Sequence, residues 1–413
     1  MDELDRETFG PLVDIQPSSL VRLASKIAAR HLRTSTTAGQ LTARIGGSYN
    51  IAHVVEIGNG KLVIRVPVTG WGTALTPSAA RAMESQVTTM RLIRSRTTLP
   101  VPEVYAFDAT IDNEIGAPYI CMSFLPGVPV SEVWFHDMAP APRDALRLRI
   151  LGSLAHQMAQ LHGLVFDKMG SIFMDGSDLV TVGPLFDWLE AEDGCLHVTE
   201  SGPFDSTAGF LGAHLAPTFD QSVWDRAEAK VLDVILDCIP RLDSAPGFVI
   251  CPPDFDSQNV LVDGEGTVTG IIDWDLAHTM PRFLGFSRYP GWITRDWDPL
   301  MYGWPKMADS EDSPATLARY REFYNWEMGK ALQQNEDWKF TKKSHIAEAM
   351  WIAALSSRNR LEICRKFVQV ALGEDIKALD VLYAVGAGGY GDEAWNALET
   401  KLRHWIDRTC GGA

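Results

Sequence analysis

An aspartate, an asparagine five residues later and a second aspartate beyond a short hairpin (Asp254, Asn259 and Asp273) are the side chains whose types and spacing most directly suggest chemistry. A carboxylate can orient and deprotonate a hydroxyl, while an amide oxygen and a second carboxylate are hard ligands suited to magnesium. Phosphoryl transfer asks a protein for such groups: a proton acceptor, cations beside the phosphates, and little covalent work. The flanking residues say how the groups are delivered. Val260-Leu261-Val262 and Val268 to Ile272 enclose an Asp263-Gly264-Glu265-Gly266 turn, which predicts a hairpin whose second strand runs into Asp273. Asp275, two residues on, is a candidate on the substrate side or near bound metal as an outer-sphere or second-ion ligand, the alternative being that it faces solvent or caps the following segment. Asp256 and Asp263 read as loop and turn residues.

Upstream, Leu20, Leu23, Ala24, Ile27 and Ala28 recur at helical spacing, and residues 41–68 alternate around turn signals at Gly46-Gly47 and Gly58-Asn59-Gly60. A β-meander follows from that alternation. Residues 78–95 return to helical spacing at Met83, Val87 and Met90, and LPVPEVYAFD and APYICMSFL supply two more strands. Five strands with one inserted helix make a small lobe. From about residue 143 the pattern is mostly helical, over 143–163, 222–241, 315–333, 338–370 and 392–408. The expectation is an α+β, two-lobed fold: residues 1–125 form a small β-rich lobe and residues 126–413 a large, mainly helical one.

Composition narrows the function. The 413 residues carry 37 Lys+Arg against 53 Asp+Glu, a net charge of −16, so the basic footprint of a nucleic-acid binder is absent. A hydrophobic fraction of 46% is ordinary for a globular protein. The six cysteines are scattered without metal-ligand spacing, which reads as a reducing compartment. There is no basic-then-apolar leader and no run of 18 apolar residues, so the expectation is a cytoplasmic protein without a membrane partner. No G-x-S-x-G elbow and no paired zinc histidines occur.

PPDFDSQNVLVD followed by TGIIDWD resembles the catalytic and metal-binding segments of the aminoglycoside phosphotransferase and choline kinase group, small-molecule kinases that share the protein-kinase fold. The likeness runs in order over about residues 40–285. GGSYN resembles the family's phosphate-covering turn, LVIRVP the strand bearing its phosphate-binding cation, and RAMESQVTTMRLIR its helix with a glutamate. TTLPVPEVYAFD, YICMSFLPGVPVSEVW and LAHQMAQLHGLVFDKMGSIF are similar to later segments, and the fungal branch is the most similar. The resemblance implies ATP and Mg²⁺. It implies Asp254 as the base, Asn259 and Asp273 as magnesium ligands, and Arg65, set by Glu84, on the α/β-phosphates. It further implies that Gly46, Gly47, Ser48 and Tyr49 cover the β/γ-phosphates, and that backbone groups of Ser123 and Leu125 meet adenine.

Two departures stand out: Arg65 replaces the family's usual lysine, and Pro252 stands where a histidine is usual, within Cys251-Pro252-Pro253-Asp254. Arginine and lysine are not equivalent, although a guanidinium can bind phosphate bidentately. These changes motivate two rivals. One is a kinase-fold enzyme of secondary metabolism turned to cyclisation, dehydration or condensation; the other is a pseudokinase that binds without turnover. Retention of Asp254, Asn259 and Asp273 together argues against a pure binder.

For the acceptor, residues 170–225 hold ten acids and no Lys or Arg. Asp187, Glu190, Glu192 and Asp193 could pair with an amine, the alternative being a solvated helix face. Trp274, Trp292, Trp297 and Trp304 could wall a pocket for a cationic or aromatic acceptor, the alternative being core packing.

Overall fold

The computed structural model describes residues 5–32, 38–176, 179–191, 194–243, 245–333, 335–373 and 375–410. Helix α1 (Pro17–His31) buries the apolar stripe expected of it, with Leu20, Leu23, Ala24, Ile27 and Ala28 all inside. They pack on one face of an antiparallel sheet of β1 (Gly39–Gly46), β2 (Asn50–Ile57) and β3 (Gly60–Pro67). Strands β4 (Val104–Asp108) and β5 (Tyr119–Ser123) complete it in the order β1-β2-β3-β5-β4. Between β3 and β4 runs α2 (Pro77–Arg96), started by Thr76, whose hydroxyl accepts the Ala79 N–H, and by Pro77 in its first turn. Alternation in β3 decides the rest: Leu62, Ile64 and Val66 point to α1, so Arg65 points away from it.

After a short strand, β6 (Val128–Pro129), the chain turns mainly helical with α3 (Pro140–Ala159). A hairpin of β7 (Leu185–Glu190) and β8 (Leu196–Ser201) then leaves the helices and returns to α2, where Phe186 and Val198 pack on Ala79 and Ala82. Residues of FDWLEAED are therefore strand rather than helix; Glu192 and Asp193 lie outside the described residues. Helix α4 (Val223–Leu242) opens with a capping box between Ser222 and Asp225. Next come the buried strand β9 (Phe248–Ile250), the hairpin β10 (Val260–Val262) and β11 (Val268–Ile271), and α5 (Pro314–Leu332). Strand β6 pairs with β10.

One core joins α2, α3, α5 and the β10–β11 hairpin; a second joins α4 to the last helices. The periodic run 338–370 is broken into a short turn of helix, α6 (Ser344–Leu355) and α7 (Ser357–Leu372). Arg360, fully buried, explains the second break. Its guanidinium donates to the carbonyls of Ala353, Ala216 and Pro217, satisfying a terminal carbonyl of α6 that a continuous helix would have used. Helix α8 (Asp392–Cys410) closes the chain. Among the described residues, no helix is long and apolar enough to cross a membrane.

Candidate active site

Strand β9 carries the chain into Pro252-Pro253-Asp254 beneath the sheet. Arg288 holds this loop: its guanidinium donates to the carbonyl of Pro252 at 3.0 Å and to Glu348 at 2.8 Å. Further along, Asp256 accepts the Ser257 N–H and pairs with Arg295 at 2.6 Å, and Gly291 donates its N–H to the Phe255 carbonyl at 2.8 Å. Asp254 is exposed, and its Oδ2 accepts from the amides of Gln258 and Asn259, both at 2.9 Å. Both bonds land on one oxygen, which leaves Oδ1 to accept from a hydroxyl. Burial of the surrounding loop holds the Asp254 carboxyl above its ordinary range, Asp256 adds to the rise, and the two amides oppose it.

Asn259 is buried and uses its Nδ2 on Asp254, so its amide oxygen remains for another partner. Its carbonyl accepts the Ile272 N–H at 2.9 Å, which puts it beside the end of β11. There Asp273 adopts a left-handed backbone, φ 61°, a conformation short polar residues tolerate and functional sites often use. Its Oδ1 pairs with Arg65 at 2.7 Å. The local motif thus brings Asp254, Asn259 and Asp273 into one cluster.

Arg65 does not pair with Glu84, which is exposed on α2. Its guanidinium instead spans Asp273 and Asp275, each at 2.7 Å. Asp275 does not face solvent: its carboxylate takes Arg65 together with Asn50 and Gln86. Burial pushes it up, opposed by the Arg65 charge and by the two amide donors. With that many N–H donors its oxygens are filled as a carboxylate.

The glycine turn is a tight hairpin closed by the Gly47 N–H on the Asn50 carbonyl at 2.9 Å, so that amide is not free for a phosphate. Gly46 pairs with Ile51 in the ladder, and Ser48 and Tyr49 form the exposed tip. The Tyr49 ring stacks on Trp188 of β7, centroids 4.6 Å apart. The Ser123 N–H donates to Glu103 at 2.9 Å instead of standing open for adenine. Leu125 lies against Gly270, where a β-carbon would come within 2.9 Å of its Cδ1.

Beside Asp254 opens a cavity of about 180 Å³, lined among others by Asp256, Arg288, Arg295, Asp298 and Glu348. Asp187, Glu190, Trp274 and Trp292 are not on it. Asp187 and Glu190 are exposed on β7, the former 3.8 Å from His214. Trp274 and Trp292 are core residues: Trp274 donates its indole N–H to the Ile271 carbonyl, and Trp292 meets Trp134 edge-on. Trp297 does line the cavity. Sequence reading missed Arg288, Arg295, Glu348 and Gln86, because nothing local marks a charged residue as buried beside a remote loop.

A profile of the phosphotransferase enzyme family matches residues 41–323, over two thirds of the chain, a range that includes Arg65, Asp254, Asn259 and Asp273. The chain belongs to that family. As a family member it is 26% identical over 310 residues to a subtelomeric hrmA-associated cluster protein of Aspergillus fumigatus, the match spanning 60% of each chain. It is 25% identical over 130 residues to altered inheritance of mitochondria protein 9, mitochondrial, of Candida tropicalis, over 31% of this chain and 20% of that one. The chain thus spans less than two thirds of the curated relatives it matches. Among solved structures it is similar to a thermostable mutant of aminoglycoside phosphotransferase APH(4)-Ia in ternary complex with AMP-PNP and hygromycin B. That likeness has 15% identity and a TM-score of 0.43, over 94% of this chain and 99% of that one. A microcompartment-associated aminopropanol kinase gives 14%, 0.41, 94% and 95%.

The oxygens present fit a magnesium ion. Among the described residues no three His, Cys, Asp or Glu side chains gather into a metal cage. The Asn259 amide oxygen and the Asp273 carboxylate are a sparse, hard pair, suited to an ion that completes its shell with water and phosphate.

Proposed function

We propose that this phosphotransferase-family chain is an ATP- and Mg²⁺-dependent kinase of a small, amine-bearing metabolite with a hydroxyl acceptor. Residues 1–125 are read as the nucleotide lobe and 126–413 as the acceptor lobe. The observation that carries the reading is a run of contacts, Asp254 to Asn259, the Asn259 carbonyl to the N–H of Ile272 next to Asp273, and Asp273 to Arg65, which draws a base, two hard oxygens and a guanidinium into one neighbourhood. Asp254 orients the acceptor hydroxyl and takes its proton on Oδ1, its raised basicity favouring the transfer. Asn259 keeps that carboxylate in place through Nδ2. Asn259 and Asp273 would hold magnesium, which when bound neutralises phosphate charge. Arg65 supplies a fixed positive charge on the β3 face turned from α1, and the Ser48–Tyr49 tip is the part of the turn left to lie over phosphates.

The cavity beside Asp254 supports the amine. Four carboxylates (Asp254, Asp256, Asp298 and Glu348) line it against two guanidiniums, and Arg288 and Arg295 are already spoken for by Glu348 and Asp256. The surplus is negative, which favours a cationic acceptor.

Calorimetry with AMP-PNP and magnesium, followed by an ADP-release screen over amines and polyols, tests the reading. Binding, turnover with an amine-bearing alcohol and a loss of about a thousandfold in kcat for Asp254→Asn are expected. A folded protein that binds no nucleotide refutes the kinase. Nucleotide binding without ADP release from any acceptor points to the binding module instead.

A further inference from the structure

Arg65 is held by a cluster drawn from four separate stretches of chain: β3 itself, the first residue of β2, the middle of α2 and the segment after β11. At its centre is Asp275. Its carboxylate accepts from Arg65 Nη1 at 2.7 Å and Nη2 at 3.1 Å, from Asn50 Nδ2 and from Gln86 Nε2, each of the last two at 2.5 Å. Asn50 and Gln86 are both buried, so these bonds are shielded from water. Glu84 cannot join them. Two residues along a helix rotate a side chain by about 200°, so the face that offers Gln86 to the cluster turns Glu84 outward.

The same cluster accounts for an arginine on β3. A guanidinium fork reaches two carboxylates at once, and Arg65 Nη2 bonds Asp273 at 2.7 Å while Nη1 bonds Asp275. A lysine ammonium, a compact point charge, has no such fork. Without Asp275, Arg65 would have Asp273 as its carboxylate partner and would pull towards an oxygen needed elsewhere.

We propose that Asp275 is the positioning residue for Arg65, taking the task that a helix carboxylate would otherwise perform, with Gln86 and Asn50 tying the pair to α2 and to the turn. The inference rests on the phosphotransferase reading of this site. Asp275 touches neither nucleotide nor acceptor. It acts by splitting the Arg65 fork, so that one arm stays anchored and the guanidinium keeps a fixed place beside Asp273.

The test is the Kd of AMP-PNP with magnesium, read by calorimetry on the full chain, with unfolding in urea measured in parallel. Asp275→Asn is expected to weaken nucleotide binding by ten- to a hundredfold and to raise the nucleotide KM while leaving the acceptor KM unchanged. Adding Gln86→Glu to that variant returns a carboxylate to the same cluster from the helix side and should recover most of the loss, which a merely structural role would not allow. Glu84→Gln should bind like the wild type. Should Asp275→Asn fail to fold, Gln86→Met, which cuts one tie and keeps the charge, should weaken binding three- to tenfold. A folded Asp275→Asn that binds within twofold of wild type, or a Glu84→Gln that loses as much, overturns this inference and leaves the kinase reading standing. A wild type that binds no nucleotide overturns both.

Discussion

His53 lies in the middle of β2 between Ile51 and Val55, on the face packed against α1, fully buried and with neither ring nitrogen hydrogen-bonded among the described residues. Burial, reinforced by the Arg44 charge, pushes its pKa down from 6.5 to about 3. The folded lobe therefore holds a neutral imidazole that the unfolded chain would protonate first. Stability is complete above the unfolded value and falls as pH drops from 6.5 towards 3, by about 1.4 kcal/mol per unit. That amounts to about 1.4 kcal/mol at pH 5.5 and about 2.7 kcal/mol at pH 4.5. His53→Leu removes the titration and two unpaired buried nitrogens, so at pH 8 it should match or exceed the wild type. Urea unfolding of both proteins between pH 8 and 4.5 provides the difference curve, in which carboxylates common to the two cancel. The wild type should lose ground steadily below pH 6.5. Parallel curves for the two proteins would refute the reasoning, since they would mean that the ring is solvated or bonded in the native state.

Arg288→Met frees the Pro252 carbonyl and strands Glu348, costing about 3–5 kcal/mol of stability. The double change Arg288→Met with Glu348→Met should regain stability in denaturant but leave kcat at least tenfold down, with AMP-PNP affinity unchanged, because the loop holding Asp254 has lost its clamp. Trp188→Ala removes the ring under Tyr49 and should cost about 0.5–1.5 kcal/mol for the stacked pair in addition to the loss of the apolar contacts Trp188 makes with the sheet and α2. Hydrogen exchange at Ser48 to Asn50 should accelerate more than in β4, which lies on the far side of the sheet.

What the sequence disclosed was local. The stripe of α1, the alternation of β1 to β3 and the Asp254–Asn259–Asp273 spacing each sit within about thirty residues, and the structure brings those three polar groups together. What it concealed was remote. Arg65 and Asp275 are 210 residues apart, and no periodicity announces that a carboxylate so far along will displace Glu84 as partner. The β7 strand escaped notice because Leu185 and Phe186 are buried in succession, one inside a core of the helices and the other on α2, which spoils the alternation a strand usually shows. Tryptophans clustered in sequence gave no direction: Trp274 and Trp292 fill the core, while Trp297 lines the cavity. Helix breaks without glycine or proline, as before α7, depended on a buried arginine that only tertiary packing could supply.

The return of the β7–β8 hairpin to α2 bears on any attempt to divide the polypeptide. Phe186 and Val198 complete a small apolar patch whose other half is Ala79 and Ala82, and Arg81 reaches Glu200 at 2.7 Å alongside it. A fragment ending at residue 125 would leave that helix flank bare to water, and its remainder would carry a two-stranded arm with nothing beneath it. Cut there, the halves should precipitate singly and regain solubility when co-expressed, each serving as the missing wall of the other.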